Sequence, residues 1–255
     1  MELKDRDPTK SFRLDMKALD LYKNDDFDNA IFSLINSKTF YKILDRENWP
    51  IKDLAISPDG QFIITGSYMG KSILRDISGK RIHDFKVNDT TVSAVAWAKD
   101  SKSVAIGTID GFVHIWNIDG ALVKKFNIGS PEINTVQFSP DNKKLLISSD
   151  NKPALLYDLN GDMLETYTNA NSSSYSAKFS NNGDLLIVSQ EQGFVVLYGI
   201  NGEIIQEIKT NGHTNTVEFS NDGQHILIGG NSNIFEVYDL KGVKILQANG
   251  HNDAI

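Results

Sequence analysis

VEFSNDGQHILIGG, running from Val217 to Gly230, holds two strands and the turn between them. Val217 and Phe219 are apolar and flank the polar Glu218, the period-two pattern of a strand with one buried face. Ser220-Asn221-Asp222-Gly223 follows, residue types that close a tight turn through side-chain capping and tolerance of positive φ. The apolar run Ile226-Leu227-Ile228 then continues for too few residues to make a helix. The stretch therefore reads as a β-hairpin.

The same fourteen-residue pattern occurs four more times: LAISPDGQFIITGS from Leu54, VAWAKDSKSVAIGT from Val95, VQFSPDNKKLLISS from Val136 and AKFSNNGDLLIVSQ from Ala177. Successive copies start 41, 41, 41 and 40 residues apart. Ile56, Trp97, Phe138, Phe179 and Phe219 share one column, and a Pro, Asn, Asp or Gly turn follows in each copy. Beyond each hairpin lies a third apolar segment that ends on glycine: ILRDISG at Gly79, HIWNIDG at Gly120, LLYDLNG at Gly161, VLYGING at Gly202 and EVYDLKG at Gly242. A short fourth segment (RIHDF, LVKKF, MLETY, EIIQEI, VKIL) completes each unit. Four short antiparallel strands in every forty-odd residues describe one blade of a β-propeller.

The segment endings Trp116-Asn117, Tyr157-Asp158 and Tyr238-Asp239, with the dipeptides Gly212-His213 and Gly250-His251, resemble the WD-repeat family over residues 48 to 255. The resemblance implies an all-β propeller of four-stranded antiparallel blades, with repeats at about 50–89, 90–130, 131–171, 172–211 and 212–249 and a stub at 250–255. It further implies a scaffold or sensor module, of the kind used in signalling, that presents its rim loops to a protein or peptide. In the bacterial members that the chain resembles, a helical segment often joins the propeller to a signalling or nucleotide-hydrolysing domain. The family often ties each blade with a hydrogen-bonded His, Ser or Thr, Asp and Trp. No blade here has all four: Trp116 has Thr108 and Asp110 but no Gly-His ahead of it, and His213 leads a blade with Asn233 at the Asp position and Tyr238 at the Trp position. Each lost bond costs on the order of 1 kcal/mol, so apolar packing is expected to carry these blades. Where Gly-His is present, His213 and His251 are expected to make a structural hydrogen bond.

The repeat also explains TGSYMGKS (Thr65–Ser72), one residue short of the phosphate-loop pattern G-x-x-x-x-G-K-S. Gly66 and Gly70 align with Gly107 and Gly111 of the next repeat, at the turn between second and third strands. A phosphate loop needs a helix after it, and Ile73–Gly79 is too short to supply one. A blade turn is expected instead.

Residues 1–46 carry a different pattern and form a separate lead-in ahead of the propeller at 47–255. Phe12, Met16 and Leu19, then Phe27, Ile31, Leu34 and Ile35, recur at helical spacing around the break Lys23–Asp26, so two short helices are expected through about residue 37. Phe40–Leu44 lies one repeat before the fourth strand at Ile82–Phe85 and also reads as a closing strand. Gly250–Ile255 reads as the start of a sixth repeat, and a fragment of a longer chain is the expectation drawn from it.

Of 255 residues 33 are acidic and 26 basic, a net charge of −7, which lacks the field that phosphate neutralisation needs; nucleic acid is not expected as a partner. There is no cysteine, which excludes disulfides and thiolate sites. The opening residues contain no apolar run and no window reaches the length of a membrane span, so a cytoplasmic protein without membrane contact is expected. The five histidines are scattered, the acidic clusters lack calcium-loop spacing, and no nucleophile elbow accompanies the serines. No catalytic, metal or cofactor residue is therefore assigned. The candidate partner contacts are the rim-loop residues Trp49, Tyr68, Met69, Asp110, Gln192 and Asn233. Two alternatives stay open. One is an enzyme with carboxylates or histidines converging in the central channel, against which the Ala, Val, Ser and Thr of the first strands argue. The other is a structural subunit that closes its ring in an oligomer.

Overall fold

A computed structural model describes residues 49–87, 89–167, 173–210, 212–230 and 234–249. The chain divides into two units, Met1–Arg46 and Glu47–Ile255, and the described residues belong to the second. The expected helices, the strand at 40–44 and the stub at 250–255 lie outside them.

Twenty strands form five four-stranded antiparallel sheets, each in chain order. The first blade is β1 (Ile51–Ile56), β2 (Phe62–Ser67), β3 (Lys71–Asp76) and β4 (Arg81–Lys86); the second is β5 (Val92–Trp97), β6 (Ser103–Thr108), β7 (Phe112–Asn117) and β8 (Leu122–Asn127). The third is β9 (Ile133–Phe138), β10 (Lys144–Ser149), β11 (Lys152–Asp158) and β12 (Met163–Tyr167), and the fourth is β13 (Ser174–Phe179), β14 (Leu185–Gln190), β15 (Phe194–Gly199) and β16 (Ile204–Lys209). The fifth is β17 (Thr214–Phe219), β18 (His225–Gly230), β19 (Ile234–Asp239) and β20 (Lys244–Asn249). The all-β propeller expected from the repeat is present, and among the described residues no helix is long and apolar enough to cross a membrane.

The turns behave as their residue types require. Between first and second strands Gly60, Ser101, Asn142, Gly183 and Gly223 hold positive φ. In four of these turns the preceding serine hydroxyl donates to the turn's carboxylate or amide, as from Ser57 to Asp59 (2.6 Å) and from Ser139 to Asp141 (2.5 Å); the second blade has Ala98 there. Neighbouring turns also bond to one another: the Lys99 N–H donates to Asn142 Oδ1 at 2.6 Å. After TGSYMGKS comes no helix. Tyr68–Gly70 makes a single tight turn with Met69 at φ 63°, and Lys71 opens β3.

Because side chains alternate across a strand, each blade presents one apolar face to its predecessor and one to its successor. Leu74, Phe85 and Ile64 of the first blade meet Val95, Trp97 and Ile106 of the second. Ile115 and Val113 of the second meet Phe138, Leu145 and Tyr157 of the third. Leu146 and Tyr167 meet Phe179 and Tyr198, and Leu197 and Ile208 meet Phe219 and Ile226, at the next two junctions. Each such side chain contributes roughly 1.5–3 kcal/mol through burial.

The inner strand of each blade has one edge with no strand beside it, so its N–H groups need other acceptors. At three of the four junctions a side chain of the preceding blade supplies one. Asp53 accepts from the Val95 N–H at 2.8 Å, Thr135 from Ala177 at 3.3 Å, Gln137 from Phe179 at 2.7 Å and Ser176 from Val217 at 3.5 Å. The Trp97 indole donates to the Ala55 carbonyl at 3.1 Å.

Candidate functional site

Each first strand begins, and each second strand ends, at the same end of its blade, so the turns between second and third strands and the leads into the first strands share one rim. At the first blade this rim carries large side chains. Trp49 precedes Pro50, whose carbonyl accepts the Tyr68 N–H at 3.3 Å, which sets the Trp49 segment beside the Tyr68–Gly70 turn. Trp49, Tyr68 and Met69 are all exposed, and the Lys52 ammonium lies 5.6 Å from the centre of the Tyr68 ring. Three of the expected contact residues thus lie on two adjoining segments of the rim.

Gln192 and Asp110 lie on other blades. Gln192 sits exposed in the fourth blade's equivalent turn at φ 66°. Asp110 lies in the second blade's turn, where its carboxylate accepts from the Thr108 hydroxyl at 2.5 Å while the same hydroxyl accepts the Phe112 N–H at 3.2 Å. That carboxylate holds the turn in shape. Asn233 lies outside the described residues.

The family's hydrogen-bonded set is incomplete at Trp116, in keeping with the missing Gly-His ahead of its blade. Trp116 Nε1 and His114 Nδ1 are both buried without a hydrogen-bond partner. The strand position paired with His114 is Ile106, whose side chain offers no polar group to Nδ1, although its backbone hydrogen-bonds the ring. Burial, reinforced by the nearby Lys125 ammonium, lowers the His114 pKa to about 4, so the ring is neutral at physiological pH. His213 is exposed and makes an edge-on contact with the Tyr175 ring, centroids 6.4 Å apart; Asn233, at the Asp position of its blade, lies outside the described residues.

Sequence reasoning set the first strands at the central channel but did not single out Asp53, Asn134 or Lys178 there. The inner strands of all five blades surround a cavity of about 700 Å³. Its lining includes one carboxylate, Asp53, and no histidine. Asp53 is committed to structure, accepting the Leu54 N–H and the Val95 N–H at 2.8 Å each; burial raises its pKa, partly offset by those two bonds. Lys178 pairs with Glu218 at 3.3 Å, and the Asn134 amide donates to the Asp150 carboxylate (2.9 Å) and the Ser174 carbonyl (3.0 Å), joining the third and fourth blades. A general acid and base cannot be assembled from one carboxylate already holding two backbone amides. Among the described residues no group of three or more His, Asp or Glu is placed to hold a metal ion.

Two family profiles match the sequence: the anaphase-promoting complex subunit 4 WD40 domain over residues 73–141, and the WD domain, G-beta repeat over residues 39–73. No curated protein matches it. Among solved structures, the β-propeller domain of Myceliophteria thermophila Cps50 (Swd1) superposes with a TM-score of 0.75 at 12% identity, over 82% of this chain and 74% of that one. At that identity the likeness concerns the fold.

Proposed function

Because this chain is a WD-repeat β-propeller, we propose that it is a non-catalytic scaffold or sensor module that docks a protein or peptide on the rim at Trp49, Tyr68 and Met69. The observation that carries the reading is that these three exposed side chains belong to two segments held side by side by the Tyr68–Pro50 hydrogen bond. Aromatic residues and methionine are enriched at the anchoring centres of protein interfaces, where they give large contact area. The acidic charge balance favours a protein over a nucleic acid as partner, and a cytoplasmic setting is in keeping with a chain that has no cysteine.

Affinity capture with the intact chain, quantified beside the triple variant Trp49→Ala, Tyr68→Ala, Met69→Ala, tests the reading. The expected result is a defined protein retained by the wild type and lost from the triple variant, while a Lys99→Ala control on the opposite rim keeps it. Equal capture by wild type and triple variant would overturn it.

A further inference from the structure

The turns between third and fourth strands share one backbone design. Each third strand ends at Asp76, Asn117, Asp158, Gly199 or Asp239, whose carbonyl accepts the N–H of Gly79, Gly120, Gly161, Gly202 or Gly242 at 2.8–3.2 Å. In four blades the side chain of that same residue clamps the turn. Its Oδ1 accepts the N–H of Lys80 (3.0 Å), Ala121 (2.7 Å), Asp162 (2.9 Å) or Val243 (2.8 Å). The fourth blade has Gly199 there and no such clamp; the flexible Glu203 side chain lies over the place where a β-carbon on Gly199 would stand.

This difference falls on a reactive dipeptide. In an Asn-Gly pair the main-chain nitrogen can attack the asparagine side chain with little hindrance, because glycine has no β-carbon beside the incoming group. Attack requires the turn to open and the amide to turn free. Three Asn-Gly pairs lie among the described residues, at Asn160, Asn182 and Asn201. Asn182 is held at both ends: its Oδ1 accepts from the Ser180 hydroxyl (2.7 Å) and the Asp184 N–H (3.2 Å), and its NH₂ donates to the Asp184 carboxylate at 2.8 Å. Asn160 donates from its NH₂ to the Asp158 carboxylate at 3.1 Å, and that carboxylate also accepts the Asn160 and Asp162 N–H groups. Asn201 occupies the same repeat position as Asn160, is exposed, and has Gly199 where Asn160 has Asp158. Among the described residues no hydrogen bond holds its amide.

We propose that Asn201-Gly202 is a site of self-modification, at which the Gly202 nitrogen closes on Asn201 and converts it to aspartate and isoaspartate. The Gly202 nitrogen loses its proton and attacks Asn201 Cγ; a C–N bond forms, the Cγ–Nδ2 bond breaks, and ammonia leaves with that proton. Water then opens either carbonyl of the resulting succinimide. Both products add a carboxylate near Glu203 and Glu165, the latter about 3.4 Å from the β-carbon place on Gly202. Isoaspartate also adds a main-chain carbon to the turn that joins β15 to β16. The site lies on the rim opposite Trp49, Tyr68 and Met69 and is independent of the docking reading.

The experiment holds the purified full chain in mildly alkaline buffer, digests samples over time and follows each Asn-Gly peptide by mass spectrometry. Electron-transfer fragmentation separates aspartate from isoaspartate. Asn201 is expected to convert roughly tenfold faster than Asn160 or Asn182, the factor set by one or two fewer hydrogen bonds to break before closure. In urea the three rates should converge. Gly199→Asn, which supplies the clamp seen at Asn117, should slow conversion at 201 to the rate at 160, and Asp158→Gly should raise the rate at 160; thermal unfolding confirms that both variants are folded. Asn160 or Asn182 keeping pace with Asn201, a difference that persists in urea, or folded variants that leave the rates at 201 and 160 unchanged would each overturn the proposal.

Discussion

Ile133 at the start of the third blade fills the space in which a β-carbon on Gly107 of the second would stand, its Cγ2 2.7 Å from that position. The glycine is required for close approach of two sheets and not for backbone freedom. Gly107→Ala should destabilise by about 1–3 kcal/mol through overpacking, read as a lower denaturant midpoint at unchanged slope. Adding Ile133→Ala should cost less than the sum of the two single changes, because the second truncation makes room for the new methyl.

Asp53→Ala leaves the Val95 N–H without its acceptor at the channel edge and should cost about 1–3 kcal/mol. The acid dependence identifies the cause. Burial raises the folded-state pKa of Asp53 above 3.8, so the folded protein binds the extra proton as pH falls through that raised value toward 3.8. The wild type should therefore gain stability relative to Asp53→Asn across that interval. A difference between the two that does not change with pH would show that Asp53 does not titrate in this way.

His114 has the opposite sign. Its folded-state pKa of about 4 lies below the ordinary 6.5, so between those values the unfolded chain binds more protons and stability falls as pH drops. His114→Leu, which matches Leu155 in the next repeat, should remove this slope, while deletion of the unpaired Nδ1 is offset by loss of the ring's hydrogen bond to the Ile106 backbone, so stability at pH 7 should change by less than about 1 kcal/mol. Thermal unfolding of both proteins between pH 7 and pH 4 checks the sign and the slope.

On the rim the separation should run the other way. Trp49→Ala and Met69→Ala alter exposed side chains and should shift stability by less than about 0.5 kcal/mol. Partner affinity should weaken by about 2 kcal/mol or more if either anchors the interface. Titration calorimetry of the captured partner beside thermal unfolding distinguishes an anchoring residue from a structural one.

Much of this fold was legible in the sequence. Strand alternation, turn residues at fixed offsets and glycines 41 residues apart specify four strands per blade, and they identified Tyr68–Gly70 as a blade turn despite its likeness to a phosphate loop. What was not legible lies between repeats. Alternation assigns Asp53 a position but not the Val95 N–H 42 residues away that it serves. Asp110 read as a rim contact because its turn is exposed, and only the short bond from Thr108 shows that its carboxylate has a structural task. The contact of His213 with Tyr175 was not legible either, since it joins residues from neighbouring blades. The adjacency of the Trp49 and Tyr68 segments rests on a turn and a lead-in eighteen residues apart, which the repeat places at one rim only once the strand directions are known.

Site-specific photo-crosslinking in living cells tests the central claim most directly. A benzoylphenylalanine placed at Tyr68 probes the docking rim, and one at the exposed Gln61, in the turn at the other end of the first blade, serves as the comparison. The account predicts a discrete crosslinked protein from position 68 that is absent from position 61. The same products from both positions, or products from 61 alone, would contradict it.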